Sequence, residues 1–218
     1  MAEMKQGLVE LVFILDRSGS MSGLEGDTIG GFNSMLEKQR QESGEAVVTT
    51  VLFDHEHELL HDRIPIRGIR PVTSKEYYVR GNTALLDAIG KSIQKIDNAV
   101  RITLAEERPE KVLFIITTDG MENASREFDY NRVRQMVEHQ KCKGWEFIFL
   151  GANMDAFSLA ARVGIEKDRV ANYHADSRGT QLNYEILSEA VSYMRANHSL
   201  DKSWKDEIDR DYADRVTE

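Results

Sequence analysis

The chain has 218 residues, enough for a single doubly wound or sandwich domain that buries roughly 70% of its unfolded surface without a disulfide or a metal. Its 28 Lys and Arg stand against 37 Asp and Glu, and the resulting charge of −9 disfavours generic binding to nucleic acid or anionic membranes. Cys142 is the single cysteine, which excludes an intrachain disulfide and argues against a disulfide-stapled secreted module.

In chain order, the first apolar run is Leu8–Leu15, ending on Asp16. It is too short to span a membrane and no small-residue cleavage site follows it, so the expected compartment is the cytosol. Asp27–Arg40 predicts a helix, with Ile29, Phe32, Met35 and Leu36 on one stripe. Ala46–Phe53 is the second strand. The segment 54–69 has no room for a helix, so it predicts a hairpin to an antiparallel edge strand, where Pro65 is tolerable. Ala84–Glu107 has apolar residues every three or four positions and predicts one long helix before Pro109. Lys111–Thr117 is a strand and Tyr130–Lys143 a helix ended by Gly144. Then come a strand over Trp145–Leu150, a helix over Met154–Arg162 and a short strand over Arg169–Ala171. A last helix follows over Gln181–Ala196.

The strands are almost continuously apolar, as strands covered on both faces are. Their alternation with helices predicts an α/β three-layer sandwich, doubly wound around a mainly parallel sheet. Residues 1–198 form this domain. From Ser199 the composition shifts to seven acidic and four basic residues, which predicts a charged helical extension or tail over 199–218. Trp204 in that tail is suited to dock on the domain or on a partner.

Three segments carry chemistry. Asp16-Arg-Ser18-Gly-Ser20 places three oxygen side chains at the C-terminal end of a buried strand, the end that faces the binding crevice of a parallel sheet. Such a donor set lacks nitrogen and sulfur and suits Mg²⁺, Mn²⁺ or Ca²⁺ rather than Zn²⁺. A plain Ser/Gly turn with a capping Asp is the competing explanation. Thr83 precedes the long helix, where Asn82 or Thr83 could equally serve as its N-cap. Asp119 ends the strongest central strand, where it could equally start a turn before Gly120.

Together these segments resemble the von Willebrand factor A-type family, the integrin I-domain fold, over residues 7–197. The family's metal-ion-dependent adhesion site combines Asp-x-Ser-x-Ser with a Thr and an Asp from later loops. Asp16, Ser18, Ser20, Thr83 and Asp119 match it in order and spacing. The resemblance implies the strand order 3-2-1-4-5-6, hydroxyl ligands from Ser18, Ser20 and Thr83, and carboxylate ligation by Asp16 and Asp119, directly or through water. It implies a divalent-cation-dependent adaptor or scaffold without enzymatic activity. Such a module captures an acidic side chain of a partner protein, as in the small stand-alone versions found in bacteria.

Two other functions compete. A phosphohydrolase with Asp16 as nucleophile needs a second Asp two residues on, where this chain has Ser18. An assembly subunit would use an interface that ignores the metal, and the acidic tail offers a route to self-association. The glycines between Gly26 and Gly31 fit helix–strand packing. His55, His57 and His61 share parity and read as one polar solvent face, with a transition-metal site as the alternative. His174 reads as a structural residue in the loop before the last helix.

Overall fold

The structure, a computed structural model, describes residues 7–152, 155–197 and 199–216. Met154, where the sequence starts its fourth predicted helix, and position 198, where it ends the domain, lie outside them.

Six strands form one sheet: β1 (Leu8–Asp16), β2 (Glu45–Phe53), β3 (His57–Pro65), β4 (Lys111–Thr118), β5 (Glu146–Ala152) and β6 (Val170–Tyr173). Their order is β3-β2-β1-β4-β5-β6. Every pairing is parallel except β2 with β3, so the edge hairpin expected from the sequence and the order implied by the family resemblance are both present.

Helices α1 (Glu25–Gln41), α5 (Ser177–Asn197) and α6 (Asp206–Val216) lie on one side of the sheet. On that side Leu11, Phe13 and Leu15 of β1 pack with Phe32, Leu187 and Ile208. Helices α2 (Leu85–Ile102), α3 (Tyr130–Cys142) and α4 (Ala156–Arg162) cover the other side, where Val12 and Ile14 meet Ile89, Val137 and Ala160. Alternation along β1 therefore feeds two separate cores, which is why its sequence reads as one apolar run.

Some elements differ from expectation. Helix α2 stops at Ile102 rather than Glu107, because Thr103 turns extended and its hydroxyl and N–H both bond the Ala99 carbonyl. A short 3-10 turn over Ala105–Glu107 follows. Gly31 packs against the Tyr184 ring of α5, so its role is helix–helix rather than helix–strand packing. The histidines do not share a face. The β2–β3 register shifts twice around Thr50, which reverses the parity of the edge strand. His57 turns to Ser92 of α2, His61 bonds Thr50 on the other side, and His55 sits in the turn before the strand. Both His57 and His61 are partly buried rather than facing solvent.

Glu10 is an unadvertised charge in the first apolar run. It is fully buried in the central strand, where it receives the Arg63 guanidinium at 2.7 Å and the Thr49 hydroxyl at 3.2 Å. Burial pushes its carboxyl up despite Arg63.

The tail returns to its own domain. Leu200, Trp204 and Ile208 join the core beside α5, and the Trp204 indole N–H donates to the Asp168 carbonyl at 2.9 Å. His174 stacks on Tyr212 and bonds its carbonyl, while Arg215 pairs with Asp176 and Asp211. Trp204→Ala should lower the unfolding free energy by about 3 kcal/mol in urea denaturation. An unchanged midpoint would show that the tail adds nothing to stability.

Candidate functional site

Strands β1 and β4 are neighbours whose following segments leave toward opposite sides of the sheet, so their C-terminal ends border a crevice. Asp16 closes β1, and Asp119 follows Thr118 at the end of β4. A third loop, ahead of α2, brings Thr83. Asp16, Ser18, Thr83 and Asp119 are all buried, and Ser20 is exposed at the mouth.

Hydroxyl contacts join the three loops. The Thr83 hydroxyl donates to Ser18 Oγ at 3.0 Å, Ser18 and Ser20 Oγ are 3.1 Å apart, and Ser20 donates to Asp119 Oδ1 at 2.5 Å. The Ser18 N–H donates to Asp16 Oδ1 at 2.7 Å, which fixes the first turn. The five residues singled out by the sequence thus converge. The local alternatives account for only part of these contacts. Thr83 does not cap α2, whose N-cap is Ala84 without a side-chain bond. Asp16 caps its own turn and also reaches across to Thr118, and Asp119 reaches Ser20 in the first loop.

Several contributors were invisible in the sequence. The Thr118 hydroxyl donates to Asp16 Oδ2 at 2.5 Å, and the buried Tyr77 hydroxyl donates to the Asp16 carbonyl at 2.5 Å. Asn123 accepts the Thr83 N–H at 2.9 Å, and its own N–H returns to the Thr83 carbonyl at 3.0 Å. Only Thr118 had a signal, its place beside Asp119. Tyr77 and Asn123 come from loops whose approach depends on the whole fold.

Electrostatically the crevice is short of positive charge. Burial pushes the Asp16 carboxyl up to about 6, against the hydrogen bonds from Thr118 and Ser18 that pull it down. Burial likewise raises Asp119. Asp119 Oδ2 is buried and has no hydrogen-bond partner among the described residues. A buried acceptor left open is costly unless something positive meets it.

Gly120 supplies the matching space. A Cβ there would lie 2.8 Å from Thr83 Oγ1 and 2.9 Å from Ser20 Oγ, so the missing side chain leaves a concavity facing the hydroxyls. Oxygen donors, an open carboxylate oxygen and a concavity together fit a hard divalent cation.

No family model matches the chain, and no curated protein matches it by sequence. Solved structures do match. Proximal thread matrix protein 1 from the mussel byssus superposes with a TM-score of 0.57 at 14% identity, over 87% of this chain and 47% of that one. The von Willebrand factor type A structure from Catenulispora acidiphila gives 0.57 at 14%, over 88% and 43%. Manganese-loaded Plasmodium vivax TRAP protein gives 0.53 at 15%, over 81% and 72%. The byssus protein has also been solved with a zinc-occupied MIDAS motif. This chain spans about half the length of the first two. The fold is therefore that of von Willebrand A domains.

The raised Asp16 carboxyl has a definite sign in stability. Its protonated form is favoured in the folded state, so the stability it contributes is complete below its unfolded value of 3.8 and lost as pH rises through about 6. In EDTA, Asp16→Asn should exceed wild type in stability by on the order of 2 kcal/mol at pH 7.5 and match it below pH 4. Equal denaturation midpoints at pH 7.5 would refute the burial penalty.

Proposed function

We propose that the chain is a divalent-cation-dependent protein-binding module. Asp16, Ser18, Ser20, Thr83 and Asp119 hold the ion, and an acidic side chain of a partner protein completes its coordination. The observation that carries this reading is the open, buried Asp119 Oδ2 beside three mutually bonded hydroxyls and the Gly120 concavity. A bound cation would neutralise the two carboxylates and, with few anionic ligands, stay electrophilic toward a further carboxylate.

Each residue has its own part. Ser18 and Thr83 present hydroxyl oxygens from two loops, and Ser20 presents a third at the mouth. Asp119 offers Oδ2. Asp16 holds the first turn and balances charge, with both its oxygens already accepting hydrogen bonds. That engagement favours binding over phosphoryl transfer, because a nucleophilic carboxylate needs an oxygen free to attack. The all-oxygen donors favour Mg²⁺ or Mn²⁺ as the native ion. The byssus protein with its zinc-occupied MIDAS motif and the manganese-loaded TRAP protein support divalent-ion binding by proteins of this fold. The role is that of an adaptor or scaffold. Among the described residues no helix is long and apolar enough to cross a membrane.

Calorimetric titration of Mg²⁺ and Mn²⁺ into EDTA-stripped protein should give one site. Thr83→Ala, Ser18→Ala and Gly120→Ala should each weaken it by about tenfold or more. Wild-type affinity in Thr83→Ala would sink the assignment. Affinity capture with Mg²⁺ should recover a partner that is lost in EDTA and with Asp16→Ala. A partner retained under both conditions would indicate a metal-independent assembly interface instead.

A further inference from the structure

Arg17 lies between two of the proposed ligands, yet its side chain is fully buried and points away from them. Its Nε donates to Asp54 Oδ2 at 2.9 Å, and its other end meets Glu58 at 2.7 Å. Asp54 is equally buried, just past the end of β2. The same Oδ2 takes Arg80 Nε at 2.8 Å, while Oδ1 accepts the Glu56 N–H at 2.7 Å. Burial works against the ionised form of Asp54, but the Glu56 N–H, Arg80 and Arg17 outweigh it and hold the carboxyl below its usual range.

These contacts converge on the segments that carry the hydroxyls. Arg17 and Arg80 flank Ser18 and Gly81. Where the two segments run side by side, the Arg80 N–H donates to the Arg17 carbonyl at 2.9 Å and the Gly19 N–H to the Gly81 carbonyl at 3.1 Å. The Asp54 carbonyl takes the Ala84 N–H at 2.8 Å, immediately after Thr83. One residue thus holds the first loop through Arg17 and the second through Arg80 and Ala84. The 3.0 Å approach of Thr83 to Ser18 depends on both being held. Asp54, His55 and Glu56 lie close enough to suggest a second cation site, but two guanidinium groups already occupy Asp54.

We propose that Asp54 is a positioning residue for the metal site: by pairing with Arg17 and Arg80 it sets the spacing between the Ser18 and Thr83 loops, and hence cation affinity, without touching the ion. This rests on the metal reading of the crevice.

The test compares two buried, ion-paired carboxylates in the full chain. Asp54 is near the site, and Glu10 lies at the other end of β1 paired with Arg63. Asp54→Asn should weaken Mn²⁺ binding about tenfold, while Glu10→Gln leaves it within about twofold whatever it does to stability. Amide exchange of Gly19, Arg80 and Ala84 in the metal-free protein should quicken in Asp54→Asn and not in Glu10→Gln beyond any global opening. If Asp54→Asn does not fold, Arg80→Gln removes one of the two guanidinium groups and should weaken binding by a smaller factor. Wild-type Mn²⁺ affinity in Asp54→Asn, or equal loss in Glu10→Gln, overturns the proposal. Should wild type take up no Mn²⁺, the metal reading falls, and unchanged exchange at the three amides would overturn the clamp separately.

Discussion

Two carboxylates stand at the ends of adjacent parallel strands, both buried, and among the described residues no cationic side chain bonds either of them. Asp16 and Asp119 owe this placement to the sheet order, which makes β1 and β4 neighbours although about a hundred residues separate them. Such a pair costs folding free energy when ionised. Much of the surrounding polar structure answers that cost. Thr118, the Ser18 amide and Ser20 each donate to one of the carboxylates. What they leave unanswered is Asp119 Oδ2. The crevice is therefore an acceptor-rich place awaiting positive charge on an otherwise acidic protein.

A gradient of order supports it. The strand ends are fixed by two apolar cores, one on each face of the sheet. The loops are fixed by polar contacts that run sideways: Tyr77 to the Asp16 carbonyl, Asn123 to Thr83, and Asp54 to both arginines. Apolar burial sets where the loops begin, and hydrogen bonds set where they end. Catalysis or binding at a 1 Å tolerance needs both.

Much of this was legible in the sequence, for identifiable reasons. Strands buried on both faces announce themselves by continuous apolar runs, and 54–69 stood out because nothing helical fits there. Four of the oxygen residues were legible because two Ser follow Asp16 at close spacing and Asp119 ends a central strand, while Thr83 stood out only through the family resemblance. The rest depended on three-dimensional approach. The end of α2 was misplaced because Leu104 sustains the apolar period while being exposed in the structure. The histidines were misassigned because parity is lost at register shifts, which leave no sequence mark. Arg17 and Asp54 carry no mark in the sequence, since a buried ion pair shows only when both partners are placed.

The C-terminal helix also bears on how the molecule meets others. Strand β6 is only four residues long and would be an open edge of the sheet, but α6 lies against it, fastened by the stack of His174 on Tyr212 and by Arg215. The opposite edge, β3, carries Glu58, Asp62 and Arg63 and ends in Pro65, features that discourage strand addition. Loosening the tail would therefore do more than destabilise a helix. It would expose more of β6, a strand without a charged side chain, to pairing with a strand of another chain.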